Sequence, residues 1–310
     1  MYTQNAEILQ GLYRTSFFDN FSSGQSARFY SKLAKDMPQE QTTVTWTSFG
    51  SVPEPVQLSG TTATGGIPRA TPLNDFKLAT TVQEYKVTVP MARSVAEDNP
   101  ADAQGMVGKL GGKASFRYDR EFMSCLTSST LLGYDGKVVY STTHAESGTN
   151  QDNARTATGS GTITAAEMEV GITAAVAGLQ SFTDDQLTYV NEGVNHFTIL
   201  CNPLQWAMIN NLVNPSFQNQ SIDSSGGSGK FRGMFTVIAS ALVTTKVHYI
   251  FADGGDPAVG FFHKTDWDIT SNMYTDSDLW KLHNTAMFTG FARFAFYPWN
   301  WKATIKTTYS

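Results

Sequence analysis

The sequence predicts an α+β protein, and two patterns lead to this prediction. Apolar residues recur at three- or four-residue steps over residues 100–128, which is the spacing of one face of a long helix. Apolar and polar residues alternate over residues 76–90 and again over 287–306, which is the period of a strand with two different faces. With 310 residues, 41% of them hydrophobic, the chain can bury a large core.

The charge content excludes several classes of protein. Only 16% of the residues are charged, against about 25% in typical soluble domains, so the chain is not mainly disordered and neighbouring copies are one candidate for covering its surface. The net charge of −5 argues against a dedicated nucleic-acid binder. We expect no secretory signal and no membrane span. Cys125 and Cys201 lie in apolar contexts and are predicted to be buried free thiols in a reducing cytoplasm.

The first part of the chain predicts two short helices followed by a hairpin. Helical spacing covers Asn5–Phe21 and Ser26–Lys35, and Pro38 ends this arm. Two alternating segments, from Thr42 to Pro90, enclose a stretch rich in Gly and Thr. An isolated hairpin is marginally stable in water, so we expect both the arm and the hairpin to pack against another surface.

The strongest helix prediction begins after Asp98 or Asn99, either of which can cap it, with Pro100 in the first turn. The helix is expected to run for about seven turns, to Ser128. The pair Gly111-Gly112 lies inside it and costs about 1 kcal/mol per glycine relative to alanine. A close backbone contact or a bend would explain this pair.

The rest of the chain predicts a mixture of elements. Residues 133–162 are expected to form a long surface loop, and Thr164 with Glu167 forms a capping-box pattern that opens the next helix. The remaining predicted elements are a strand at His196–Cys201, a helix at Pro203–Val213, a loop at Ser221–Gly229, strands at Phe235–Ala239, Val247–Phe251, Val259–His263 and Met287–Tyr297, and an alternating segment from Trp299 to Lys306.

The sequence contains no recognisable catalytic, cofactor-binding or metal-binding motif, so we expect that the protein is not an enzyme and binds no cofactor. The strongest isolated candidate is His144 with Glu146, which we interpret as part of a solvated loop. Asp184-Asp185 is interpreted as a polar connection. A further set of acidic residues does not have the spacing of a calcium loop and is assigned to turns and exposed faces: Asp253, Asp256, Asp266, Asp268, Asp276 and Asp278.

Several stretches resemble a known family in their order and spacing. They include ARFYSKLAKDMPQEQTTVTWTSFGSVPEPVQLSG, EYKVTVPMARSVAEDNPADAQGMVGKLGGKASFRYDREFMSCL, LLGYDGKVVYSTTHAESGTNQDN and TDSDLWKLHNTAMFTGFARFAFYPWNWK. The chain resembles the Mu-like major head subunit family of tailed-phage and prophage capsid proteins, over roughly residues 25–155 and 270–305.

The resemblance implies the Hong Kong 97-type capsid fold and a structural function. It implies a major capsid protein that self-assembles as pentamers and hexamers into an icosahedral shell around double-stranded DNA, without sequence-specific binding. A separate scaffolding protein and a portal are the other expected partners, with assembly in the bacterial cytoplasm and a final location in the virion. The expected divisions are an N-terminal arm (1–42), an extended loop (43–92), a peripheral domain with a spine helix (93–164), an axial domain (165–265) and C-terminal strands that complete the sheets (266–310).

Intersubunit contacts are expected mainly in the extended loop. Charged residues there would pair across subunits, and aromatic residues would be buried against the adjacent peripheral domain. The charged set is Glu54, Arg69, Lys77 and Glu84, and the aromatic set is Trp46, Phe49, Phe76 and Tyr85. The alternatives are a phage tail or decoration protein, and a non-assembling α/β binding module or hydrolase.

Overall fold

The computed structural model describes residues 2–26, 28–49, 75–146, 148–159, 161–213, 231, 233–273 and 278–310. The chain divides into two compact units, each built from separate stretches of sequence. Unit 1 takes the described residues of 1–44, 80–125 and 259–297, and unit 2 takes those of 45–79, 126–258 and 298–310.

Helices and strands account for most of the described chain. In chain order they are α1 (Tyr2–Ser26), α2 (Tyr30–Leu33), β1 (Ala34–Pro38), β2 (Thr43–Phe49), β3 (Asp75–Thr81), β4 (Gln83–Ala92), α3 (Arg93–Asp98), α4 (Pro100–Thr127), β5 (Ala154–Ala157), α5 (Ala165–Gln180), β6 (Phe197–Cys201), α6 (Pro203–Val213), β7 (Phe235–Ala239), β8 (Val247–Ala252), β9 (Val259–Ser271), α7 (Asp278–Lys281), β10 (Thr285–Pro298) and β11 (Thr304–Tyr309).

Unit 1 is built around a four-stranded sheet with the order β1-β9-β10-β4. Strand β1 runs parallel to β9, and β4 runs antiparallel to β10. Rings from α1 and α4 meet rings from the sheet. Tyr13 packs edge-on against Phe288 at 5.1 Å between centroids, and Tyr118 packs at a tilt against Phe294 at 4.5 Å. Aromatic pairs of this kind add about 0.5–1.5 kcal/mol each to the burial of their area.

The long helix α4 confirms the predicted start and the predicted role of one glycine. Asn99 lies at its N-cap position and Pro100 opens the first turn. A Cβ atom at Gly111 would collide with the backbone carbonyl of Phe17 on α1, so a close backbone contact does require glycine there. A Cβ atom at Gly112 would meet nothing within 4 Å, so the close contact explains only the first member of the pair.

Unit 2 is built around a five-stranded sheet with the order β5-β11-β8-β6-β7. Helices α5 and α6 supply apolar side chains that pack in one core with those of β6, β8 and β11. The predicted capping box at the start of α5 is confirmed: the Thr164 hydroxyl accepts from the Glu167 N–H, and the Glu167 carboxylate accepts from the Thr164 N–H. Both cysteines are buried and free, as predicted.

Several sequence-based boundaries were wrong. The predicted loop 133–162 contains strand β5, which pairs with β11, and the predicted strand Val259–His263 extends to Ser271 as β9. The predicted helix Ser26–Lys35 is reduced to the single turn of α2, because the residues that follow pair with β9 as strand β1. The predicted strand 76–90 is two strands separated at Val82: β3 pairs with β2 in a two-stranded sheet, whereas β4 joins the four-stranded sheet. The predicted alternation from Trp299 is interrupted by a 3₁₀ turn at Trp301–Ala303, where the Asn300 side chain accepts from the Lys302 N–H.

Some predictions fall outside the described residues. They are the Gly- and Thr-rich middle of the hairpin, the loop Ser221–Gly229, and Asp276. Among the helices that are described, none is long and apolar enough to cross a bilayer.

Candidate functional site

The interpretation of His144 as part of a solvated loop was wrong. Its side chain is fully buried and stacks on the Trp301 ring at 4.1 Å between centroids, with the planes 4° apart. Its Nδ1 lies 2.5 Å from a carboxylate oxygen of Asp135. The contact with Asp135 and the stacking on Trp301 hold His144 against the turn that precedes β11. The Gly-, Ser- and Asn-rich sequence around His144 did not indicate that its side chain would be buried.

The neighbouring Glu146 is also buried in unit 2. Its carboxylate lies 2.6 Å from Nζ of Lys302 and accepts a hydrogen bond from the Tyr134 hydroxyl at 2.8 Å. Both charged side chains are more than nine-tenths buried. Since a buried ion pair is costly to break, this contact fixes the 133–153 segment to the C-terminal turn. The ion pair engages the Glu146 carboxylate and the Lys302 ammonium group, which an acid–base site would need to present to a substrate.

The cysteines do not form a nucleophile either. Cys201 lies directly opposite His248 across β6 and β8, but both are buried. Burial raises the pKa of the Cys201 thiol to about 12 and lowers the pKa of His248 to about 4. Both groups are therefore neutral at pH 7. Among the described residues, no three His, Cys, Asp or Glu side chains are grouped closely enough to hold a metal.

The aromatic residues predicted to contact a neighbouring subunit have partners within their own unit. Trp46 packs edge-on against Trp299 at 6.4 Å, and Phe76 packs against Tyr134 at 5.0 Å. Each of these side chains is half-buried and keeps part of its surface accessible.

Tyr85 stacks on Phe294 at 4.3 Å, and the guanidinium of Arg117 lies 5.0 Å from its centroid. Glu84 is paired with Arg293 at 3.2 Å and remains exposed, and Lys77 is exposed on β3. Phe49 is the last residue of β2. Glu54 and Arg69 lie outside the described residues.

A second set of surface residues was not found from the sequence. The loop formed by residues 182–193, here called the apolar loop, presents Leu187, Tyr189 and Val190 to solvent with exposed fractions of 66%, 56% and 37%. A shallow cavity of about 270 Å³ lies beside it and is lined in part by Tyr189 and Gly193. Exposed apolar groups clustered within four residues are typical of a surface that another protein covers.

Two polar side chains fix the ends of the apolar loop. Gln151 donates to the Thr183 carbonyl at 2.9 Å and accepts from the Thr183 N–H at 2.8 Å. Asn191 is buried and donates to two backbone carbonyls, at Leu179 and Lys302. The loop is therefore attached to the body of unit 2 by several hydrogen bonds.

The turn within the apolar loop is organised by Asp184. Its buried carboxylate accepts from the N–H groups of Gln186 and Thr188 at 2.8 and 2.9 Å. Leu187 has a φ of 64°, a left-handed conformation that is uncommon for a branched side chain. The signal available in the sequence was the turn-forming Asp184 followed by apolar residues inside a polar connection.

The comparison with protein families decides the identity of the chain. A family model described as phage capsid protein matches residues 75–307, which is more than half of the chain. The chain belongs to the phage capsid protein family. No curated protein sequence matches this capsid protein.

Solved structures show the same fold as this capsid protein. The capsid of the cyanophage P-SCSP1u is 11% identical with a TM-score of 0.60, over 91% of this chain and 88% of that one. A virus-like particle from Pyrococcus furiosus is 12% identical with a TM-score of 0.58, over 96% and 98%. The mature capsid of bacteriophage PhiM1 is 12% identical with a TM-score of 0.59, over 91% and 87%.

These matches confirm the predicted Hong Kong 97-type capsid fold and the predicted structural function in a phage capsid. They favour the shell over the alternatives of a tail protein, a binding module or a hydrolase.

Proposed function

We propose that this chain is the major subunit of an icosahedral phage head of the Mu-like subfamily, and that it assembles as pentamers and hexamers around double-stranded DNA. The observation that carries the proposal is the apolar loop: a well-anchored segment that exposes three apolar side chains within four residues, in a member of a capsid family. Full burial of a Leu side chain is worth about 1.5–3 kcal/mol. A second copy that covers this loop would therefore gain free energy that the isolated subunit lacks.

The residues predicted from the sequence supply further contacts in this proposal. Trp46 and Phe76 in unit 2, and Tyr85 in unit 1, would present the accessible parts of their half-buried rings to a neighbour. The other predicted contact residues are Phe49, Glu54, Arg69, Lys77 and Glu84. Exposed ion pairs contribute only about 0–1 kcal/mol each, so a shell stabilised by many weak contacts can still dissociate and correct errors while it forms.

The division into arm, extended loop, peripheral domain, axial domain and C-terminal strands is part of the same proposal. So are a separate scaffolding protein, a portal, assembly in the host cytoplasm and a final location in the virion. DNA would be enclosed without sequence-specific recognition, and no cofactor would take part.

Negative-stain electron microscopy and light scattering on the purified chain test this function, with and without lysate from its source phage. Closed uniform shells, or rings of five or six subunits, are expected. A chain that stays monomeric under both conditions contradicts the proposal. Replacing residues 56–70 by a short Gly-Ser turn should leave a folded subunit that does not close shells, and normal shells from that variant would remove the extended loop from the account.

A further inference from the structure

Four cations follow one face of α4 in unit 1. Lys109, Lys113, Arg117 and Arg120 are spaced by four, four and three residues, which places them in one row along a helix. All four are exposed, and no other residue between 109 and 120 is. We call these four residues the cationic row. The net charge of −5 conceals it, because acidic residues elsewhere in the chain outweigh these four cations.

Most of the cationic row is not neutralised by carboxylates. Among the described residues, Lys109, Lys113 and Arg120 form no ion pair, and Arg120 instead lies 4.9 Å from the Phe116 ring centroid. Arg117 is paired with Glu121 at 2.5 Å. These positive charges therefore face solvent with little compensation.

The one carboxylate inside the sequence of the row is directed away from it. Asp119 is buried, accepts from the Tyr30 N–H at 3.2 Å and lies 3.7 Å from the Arg28 guanidinium. It contributes to the packing of unit 1 and leaves the exposed face uniformly positive.

We propose that the cationic row binds the phosphate backbone of double-stranded DNA without reading its sequence, an inference that rests on the proposed function. The row spans twelve residues, and the eleven steps between the first and the last cover about 16 Å of helix. Over that length a B-form duplex presents about ten phosphate charges. A line of evenly spaced cations matches a polymer whose charge is uniform along its length.

The composition of the row favours DNA over an acidic protein. Protein interfaces usually centre on aromatic or apolar side chains that become fully buried, and the row exposes none between Lys109 and Arg120. It also exposes no Asn or Gln, the residues that commonly read adenine edges. Three or four phosphate contacts give weak binding that depends steeply on salt, which would let a shell hold a genome loosely and still release it.

The test measures binding of the purified full-length chain to a fluorescently labelled 30-base-pair duplex by anisotropy, from 25 to 200 mM NaCl. The variant is K109Q/K113Q. The matched control is K86Q/K264Q, which removes the same charge from two exposed lysines on strands β4 and β9. Lys86 follows Tyr85 and Lys264 follows His263, and successive side chains of a strand point to opposite faces of the sheet. The two lysines therefore lie on the face opposite the rings that meet α4. Circular dichroism of each protein checks that it is folded.

The measurement is repeated with a second 30-base-pair duplex of unrelated sequence. The wild type should bind both duplexes with the same affinity, and so should the control. K109Q/K113Q should reduce the slope of log K against log salt by about 2, because each lost phosphate contact removes about 0.9. An unchanged slope, a preference for one duplex, or tighter binding of poly-glutamate than of DNA would overturn the inference.

The two proposals fail separately. A chain that forms shells by electron microscopy but shows no contribution of the row to DNA binding refutes the inference alone. A chain that binds DNA through the row but forms neither rings nor shells refutes the proposed function.

Discussion

Helix α4 and the apolar loop (residues 182–193) distribute their apolar and polar side chains in opposite ways between interior and surface. Between residues 109 and 120, α4 turns its apolar residues and Gly111 inward and exposes only cations. The apolar loop places polar groups, Asp184 and Asn191, in its buried base and exposes Leu187 and Tyr189. The first surface is stable in water as it stands, whereas the second gains free energy only when something covers it.

This difference separates what stabilises the subunit from what would join subunits. The face of α4 that packs on α1 completes a core within unit 1. The apolar loop buries Phe182 at its start, but Leu187, Tyr189 and Val190 stay exposed, and its anchors keep it in that conformation.

Gly111→Ala should destabilise unit 1 by about 3 kcal/mol, because the new methyl group meets the rigid backbone of Phe17. Gly112→Ala, at the adjacent position with open space, should instead stabilise the helix by up to about 1 kcal/mol. Urea unfolding followed by circular dichroism compares the two. Equal effects of the two substitutions would mean that close packing of α1 on α4 does not stabilise this unit.

Asp184→Ala should cost about 2 kcal/mol, because two backbone N–H groups in a buried turn lose their acceptor. Glu192→Ala, an exposed position in the same loop, should change stability by less than about 0.5 kcal/mol. Thermal unfolding and hydrogen exchange at residues 183–190 measure both. A variant that keeps wild-type protection there would show that the polar base does not hold the apolar loop.

The smallest effect concerns pH and a partly exposed cluster in unit 1. His263 lies 3.3 Å from Asp266 and 2.9 Å from Asp36, and the hydrogen bond with Asp266 is the main cause that raises the pKa of His263, while the pKa of Asp266 is lowered. The stabilisation is therefore complete below the ordinary histidine pKa of about 6.5 and is lost as the pH rises through the raised value. At low pH it is lost again when Asp266 is protonated.

His263→Gln should accordingly lower the free energy of unfolding more at pH 5.5 than at pH 8.5. The difference should stay below about 1 kcal/mol because both carboxylates are largely exposed and screened by solvent. The exposed His283→Gln is the matched control. A larger loss at pH 8.5 than at pH 5.5 would reverse the sign and contradict this assignment.

Features with strong local chemistry could be predicted from the sequence. The start of α4 at Pro100, the capping box of Thr164 and Glu167, and the strand Phe235–Ala239 follow from caps, proline and apolar pattern. The resemblance supplied the fold and the structural function, and both were confirmed. The helix that contains α2 was predicted too long and strand β1 was missed, because pairing with β9 overrides the local helical pattern.

The surfaces were harder to predict because they depend on distant contacts. Aromatic residues expected at an interface, such as Phe76, have a ring partner 58 positions away in sequence, at Tyr134. Conversely, Leu187 is exposed because Gln151 and Asn191 fix the loop ends, and neither contact can be read from the residues beside Leu187. His144 was misassigned for the same reason, since its partner Trp301 lies 157 positions later in the sequence.

The most direct test of the central claim is sedimentation velocity of the wild type, Leu187→Asn and Leu187→Met, under conditions in which the wild type forms rings or shells. Asn tolerates the left-handed conformation at this position better than Leu and removes the apolar side chain, whereas Met keeps it. We expect Leu187→Asn to stay monomeric with unchanged or higher thermal stability, and we expect Leu187→Met to assemble. Assembly of Leu187→Asn to wild-type particles would contradict the claim that the apolar loop joins one copy of this capsid protein to the next.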